Sequence, residues 1–91
     1  MATVLATFRI MPESVDVGLD EIELRAREAI LEFGGEVGNT EKEPIAFGLV
    51  SLKIVVVLDE NKSNLDPLEE KLRAIHGVAS AEVVDVRRAI G

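Results

Sequence analysis

From Ala2 to Met11 the residues Val4, Ala6, Phe8 and Ile10 alternate with Leu5, Thr7, Arg9 and Met11. A period of two with β-branched and aromatic members predicts a strand, and Pro12, which has no amide proton for a ladder, predicts its end. A polar stretch to Gly18 follows and reads as a short surface loop. The period then changes: Leu19, Ile22, Ala26, Ala29, Ile30 and Phe33 recur at intervals of three and four among Asp20, Glu21, Glu23, Arg25, Arg27, Glu28 and Glu32. That spacing gathers the apolar side chains into one stripe of an amphipathic helix. Asp20 and Glu21 suit the positive end of the helix dipole, and Gly34-Gly35 supplies the positive φ that ends a helix.

Glu36 to Glu43 is polar, contains Gly38 and Asn39, and alternates only weakly, which predicts an edge strand. Leu49 to Leu58 is rich in Val, Ile and Leu, with Ser51 and Lys53 on one face, and predicts a central strand packed under helices. The turn between the two contains Pro44 and Gly48. After a polar turn from Asp59 to Asn64, Leu65, Leu68, Leu72 and Ile75 mark a second helical stripe, with Asn64 or Asp66 as N-cap, Pro67 in the first turn and Gly77 as the stop. Val78 to Val86 predicts a last, valine-rich strand, leaving Arg87-Arg88-Ala89-Ile90-Gly91 as a tail.

The predicted order is β-α-β-β-α-β. In a chain this short that is an α+β, ferredoxin-like two-layer sandwich, a four-stranded antiparallel sheet with both helices on one face. The 91 residues are the size of one domain, spanning residues 1–91, and an apolar share of 47% is enough for one core.

Composition narrows the function classes. Seventeen acidic against ten basic side chains give a formal charge of −7, so the net field repels phosphate backbones and anionic headgroups, and neither direct nucleic-acid binding nor membrane binding is expected. With no cysteine and one histidine there is no disulfide framework, thiolate metal site or cysteine nucleophile. Ile54 to Leu58 is far shorter than the roughly 20 residues of a spanning helix, and a cytoplasmic location is the expectation.

Individual residues add little chemistry. His76 sits near the end of the second predicted helix with no second imidazole, where it suits the last carbonyls better than catalysis. Glu69-Glu70 and the Glu41, Glu43 pair read as solvated polar faces rather than acid–base pairs. Gly34-Gly35-Glu36-Val37-Gly38 follows a helix instead of opening one, unlike a phosphate-binding loop. Ala46-Phe47-Gly48-Leu49-Val50-Ser51-Leu52 lacks the basic-Gly pair and later aromatics of an RNA-recognition strand. No catalytic residue, cofactor site or metal site is predicted, and the protein is not expected to be an enzyme.

Two features stand out. Pro44-Ile45-Ala46-Phe47-Gly48 is apolar where a hairpin connection is normally polar. Such a run either forms a contact surface or folds inward, and composition alone favours Phe47 tucked beneath the sheet. Arg87-Arg88 is a basic pair on an acidic chain, either a solvated tail or a reach toward an anionic partner.

Taken together, Arg9-Ile10-Met11-Pro12-Glu13-Ser14, Glu43-Pro44-Ile45-Ala46-Phe47-Gly48-Leu49-Val50 and Asp85-Val86-Arg87-Arg88 resemble the archaeal translation elongation factor one-beta family. The likeness spans essentially the whole chain, and its most specific part is Pro-Ile-Ala-Phe-Gly. It implies the same βαββαβ fold and a guanine-nucleotide exchange factor whose partner is the GTPase elongation factor one-alpha, with the free protein monomeric. By that likeness Phe47 matches an aromatic that eukaryotic relatives insert into a pocket of the GTPase near its switch elements. Arg88 matches a terminal lysine that reaches toward the magnesium and phosphate-loop region, and Pro44, Ile45, Gly48 and Arg87 support the two. Arginine departs from the family's lysine there, a planar fork in place of a point charge. The alternative is a ferredoxin-like regulatory or oligomerisation module binding a small metabolite, for which a buried Phe47 is expected.

Overall fold

The computed structural model describes residues 3–62 and 64–89. The chain runs β1 (Thr3–Pro12), α1 (Leu19–Phe33), β2 (Glu36–Pro44), β3 (Val50–Asp59), α2 (Asp66–Arg73) and β4 (Val78–Ala89). All six expected elements form, and the ferredoxin-like α+β arrangement is the observed one. The sheet is antiparallel in the order β2-β3-β1-β4. Ala2, Ser63, Ile90 and Gly91, which the sequence places in a strand end, a turn and a tail, lie outside the described residues.

Alternation along β1 determines the layers. Ala6, Phe8 and Ile10 are buried, and their partners across the ladder in β3, Val56, Ile54 and Leu52, are buried with them. Ile22, Ala26 and Ile30 of α1 and Leu68 and Leu72 of α2 cover this face. Leu19, Ala29 and Phe33 complete the predicted stripe as partly buried neighbours. The other face carries Leu5, Thr7, Arg9, Lys53, Val55 and Val57, all half-buried, as is common for an antiparallel sheet with one face open. Lys53 there pairs with Glu43 at 3.1 Å and Arg9 with Glu82 at 3.1 Å.

Helix ends follow local chemistry with one revision. Gly34 adopts φ 101°, and its N–H reaches the carbonyls of Ile30 and Leu31. Gly35 passes so close to the sheet that a Cβ there would stand 2.7 Å from Leu58 Cδ2 and 3.0 Å from Val56 Cγ1. The start of α2 differs from expectation: Leu65 holds the cap position with helical dihedrals, while the Asn64 side chain accepts the Asp66 N–H at 3.3 Å. Asp20 in the first turn of α1 accepts a hydrogen bond from Lys42 of β2 at 2.9 Å, which raises the Lys42 ammonium above the ordinary lysine range. A raised cation favours the fold below the unfolded lysine pKa and ceases to do so as pH rises through the folded value, so this contact is constant through neutral pH.

Three register shifts alter which side chains share a face, the first skipping Ala79 so that Val78 pairs with Pro12 at the start of β4. In β2 the register skips Gly38, so that Val37 faces the helices but, beyond it, Thr40 and Lys42 do, leaving Glu41 and Glu43 on the open face. In β4 it skips Val84: Val83 pairs with Phe8, whereas Asp85 pairs with Thr7 and Val86 with Ala6. A bulge of this kind adds one residue to one strand and reverses the alternation after it. The Val83 N–H is taken by the Glu69 carboxylate of α2 at 3.3 Å, and Glu69 also accepts from Arg73 at 2.9 Å. Glu69 is thus a brace for the bulge rather than one of two solvated acids.

Replacing Phe8 by Ala should destabilise the protein by about 3–5 kcal/mol, because a large aromatic is deleted from a fully buried site. Gly35→Ala should cost about 1–3 kcal/mol by overpacking against Leu58 and Val56. Urea unfolding at constant m-value measures both, and a loss below about 0.5 kcal/mol in either would contradict the packing described.

Candidate functional site

The connection between β2 and β3 is a tight reversal. Pro44 closes β2 opposite Val50, Ile45 donates its N–H to the Leu49 carbonyl at 2.8 Å, and Leu49 donates to the Ala46 carbonyl at 3.0 Å. The two central residues of the Ala46–Leu49 turn are Phe47 and Gly48, with φ of 55° and 79°. Positive φ at both central positions is the feature of type I′ hairpin turns, which match the twist of the flanking strands. Glycine adopts it freely; a bulky side chain does so at a cost of roughly 1–2 kcal/mol. Phe47 is the non-glycine residue with positive φ among the described residues.

Phe47 is 96% exposed. The inward-folded position that composition favours is therefore overturned. No core element covers the side chain at the tip of the hairpin. Neither burial nor local conformational preference accounts for phenylalanine here. An outlier of this kind is grounds for a functional hypothesis.

Arg87 and Arg88 are not a tail. Both are strand residues, Arg87 paired with Leu5 and Arg88 with Val4. The Val84 bulge decides their sides: Arg87 lies on the open face and Arg88 on the helix side, near where the helical layer ends and Val86 is exposed. Arg87 Nε donates to Asp85 at 3.0 Å. The Arg88 guanidinium donates to the carboxylate of Glu60, across the end of β1 that separates their strands. Glu60 is held by the Asp59 turn, in which Lys62 N–H bonds the Asp59 carbonyl and Asn61 N–H its carboxylate, both at 2.9 Å.

Pro44, Ile45, Phe47 and Gly48 are thus together at one end of the sheet, and Arg87 and Arg88 stand at the other. Leu52 pairs with Ile10 near the first end and Leu58 with Val4 near the second. Six residue steps along β1 at about 3.3 Å each put roughly 20 Å between those levels, with the Phe47 turn farther out still. A protein engaging both ends must be a macromolecule. A small molecule cannot span them.

Other chemistry is sparse. Glu21, Arg25, Ile75 and His76 line a half-open cavity of about 200 Å³, below the roughly 300–1,000 Å³ of typical small-molecule sites. No group of three or more potential metal ligands occurs among the described residues, and none of their helices is long and apolar enough to cross a membrane. Sequence reasoning passed over Val15 on the β1–α1 loop, which is exposed beside the Phe47 turn. Its signal was one of two valines in a short loop, the other, Val17, being packed against the core.

Comparison with known proteins places these features in a family. Residues 5–89 match the family described as the EF-1 guanine nucleotide exchange domain. Elongation factor 1-beta of Methanococcoides burtonii is 41% identical over 90 residues, covering 99% of this chain and 100% of that protein. Elongation factor 1-beta of Methanothermobacter thermautotrophicus is 44% identical over 88 residues, covering 97% and 98%. Among solved structures, the ACT domain from GTP pyrophosphokinase of Chlorobium tepidum superposes with a TM-score of 0.65 at 22% identity, covering 91% of this chain and 88% of that one. The last likeness concerns the fold alone.

Strain and exposure at position 47 separate by mutation. Phe47→Gly should be more stable than Phe47→Ala by about 1 kcal/mol, since alanine keeps the left-handed penalty and glycine does not. Phe47→Ala should lie within about 0.5 kcal/mol of the parent, because an exposed ring contributes little packing. Thermal melts of the three proteins measure this; a large destabilisation by Phe47→Ala would mean that the ring is buried in solution.

Proposed function

The chain belongs to the family of EF-1 guanine nucleotide exchange domains, and from that membership we propose that it promotes GDP release and GTP reloading on the translation GTPase elongation factor one-alpha in the cytoplasm. The observation that carries the reading is the Phe47 ring, exposed at the tip of a hairpin whose backbone is strained to present it. Phe47 is the apolar anchor, framed by Pro44, Ile45 and Gly48. Arg88, supported by Arg87, is the cationic contact at the opposite end.

Such a role needs no covalent catalyst, so the protein acts through binding and not as an enzyme of chemical conversion. GDP on a GTPase is held by a phosphate loop, a lysine and octahedral Mg²⁺, and distorting that shell weakens the diphosphate's hold. Phe47 holds a displaced segment of the GTPase while Arg88, given up by Glu60, competes electrostatically near the metal and phosphates. Exposed ion pairs are worth about 0–1 kcal/mol, so the exchange of partners at Arg88 is cheap. Linkage sets the thermodynamics: if this protein weakens GDP binding, GDP weakens its binding by the same factor, and it prefers the nucleotide-free GTPase. The charge of −7 favours approach to a basic surface and disfavours tRNA.

The test is release of fluorescent GDP from purified archaeal elongation factor one-alpha, with this protein added at sub-stoichiometric concentration. The wild type should accelerate release and turn over. Phe47→Ala should lose about thirtyfold or more, as for a buried aromatic hot spot, and Arg88→Ala about tenfold. Unchanged release with an active GTPase would refute the exchange role. The acceleration should also fall as salt rises; a rate flat with ionic strength would remove electrostatic steering and leave exchange standing.

A further inference from the structure

Among the described residues the exposed large apolar side chains are Val15, Leu24, Leu31, Ile45, Phe47, Val84 and Val86. Leu24 and Leu31 lie on the solvent side of α1, and Val84 and Val86 on the edge strand β4. Val15, Ile45 and Phe47 come from two different loops and meet at one end of the sheet. A Cβ built on Gly48 would stand 3.5 Å from Val15 Cγ1, ordinary van der Waals distance, which sets Val15 directly beside the residue that follows Phe47.

The loop carrying Val15 is fixed on both sides of it. Glu13 donates its N–H to the Gly77 carbonyl at 2.8 Å. Val17 packs down on Gly77, where a Cβ would come within 2.7 Å of Val17 Cγ1. Between these anchors Ser14 closes a turn, its carbonyl accepting the Val17 N–H and its hydroxyl the Asp16 N–H, each at 3.3 Å. Val15 occupies a central position of that turn, where Asp, Asn, Gly or Pro is usual, and is 58% exposed, while Ile45 is 47% exposed. A valine there helps neither the turn nor the core.

We propose that Val15 is a second apolar contact for the GTPase surface that receives Phe47, so that the docking end of this protein is built by two loops and not by the hairpin alone. The proposal rests on the exchange reading above. It specifies the partner's chemistry: an apolar depression for Phe47 and Val15, bordered by cationic side chains that meet the exposed acids Glu13 and Asp16 on either side of Val15. Because Glu13 and Val17 are tied to the start of β4, the contact is preorganised, and little loop entropy is lost on docking.

The experiment titrates nucleotide-free elongation factor one-alpha with full-length wild type, Val15→Ala, Val15→Asp, Val15→Ile, Phe47→Ala and, as a control on a distant surface, Leu24→Ala. Melting temperature and GDP-release rate are read for each. Val15→Ala should weaken binding about three- to tenfold and Val15→Asp more than tenfold, at unchanged melting temperature, while Val15→Ile and Leu24→Ala bind as the wild type does. Combined with Phe47→Ala, Val15→Ala should lose less than its effect alone, as expected for side chains that share one depression. If Val15→Ala and Val15→Asp bind like the wild type while Phe47→Ala does not, the Val15 contact is wrong and the exchange reading stands. If the wild type itself neither binds nor accelerates release, the exchange reading fails first.

Discussion

Antiparallel pairing of β1 with both β3 and β4 is the constraint on which the rest of the structure depends. β1 is the strand with neighbours on either side that come from distant parts of the chain, and it transmits one alternation to both. Ala6, Phe8 and Ile10 project toward the helices, so Leu52, Ile54 and Val56 across the β3 ladder must do so as well. The stripes on α1 and α2 then have one surface to cover. A slip of one residue in either ladder would turn these side chains to the open face and strand the helices above a polar sheet. Pro12 ends the shared strand where it can no longer donate, and the chain leaves into the loop that carries Val15.

The same strand spaces the two candidate contact ends. Its length separates the Phe47 turn from the arginine pair, and its antiparallel neighbours deliver the β2–β3 turn to one end and the end of β4 to the other. A surface organised this way suits a large partner touched at two separated places. Phe47 and Arg88 differ accordingly. The first is an exposed aromatic on a strained backbone, the second an exposed cation paired with the Glu60 carboxylate.

Bulges refine this plan. Skipping Val84 in β4 reverses which of Arg87 and Arg88 shares the face of the helices, and Glu69 of α2 satisfies an amide at the irregularity. Gly38 plays a corresponding part in β2, where the skipped residue leaves Glu41 and Glu43 beside Lys53 on the open face. Bulges and exposed charges at β2 and β4 also make these edges poor templates for pairing with another chain.

The order of elements, the helical stripes and the buried strand positions were legible in the sequence, because hydrophobic periodicity is a local property that a residue's near neighbours express. Even the apolar character of Pro44 to Gly48 was visible, as was the resemblance its motif carries. Which way those residues face was not. Phe47 is exposed at the tip of the tight turn, with two positive φ values, by which β2 meets β3. Arg87 and Arg88 form strand because β1 extends far enough to pair with them, a long-range contact that no local pattern announces. Val15 becomes part of a surface only when the β1–α1 loop folds against Gly77 and comes beside Gly48. Periodicity determined what is buried; registers, bulges and loop anchoring, which depend on residues far apart in the chain, decided what is presented.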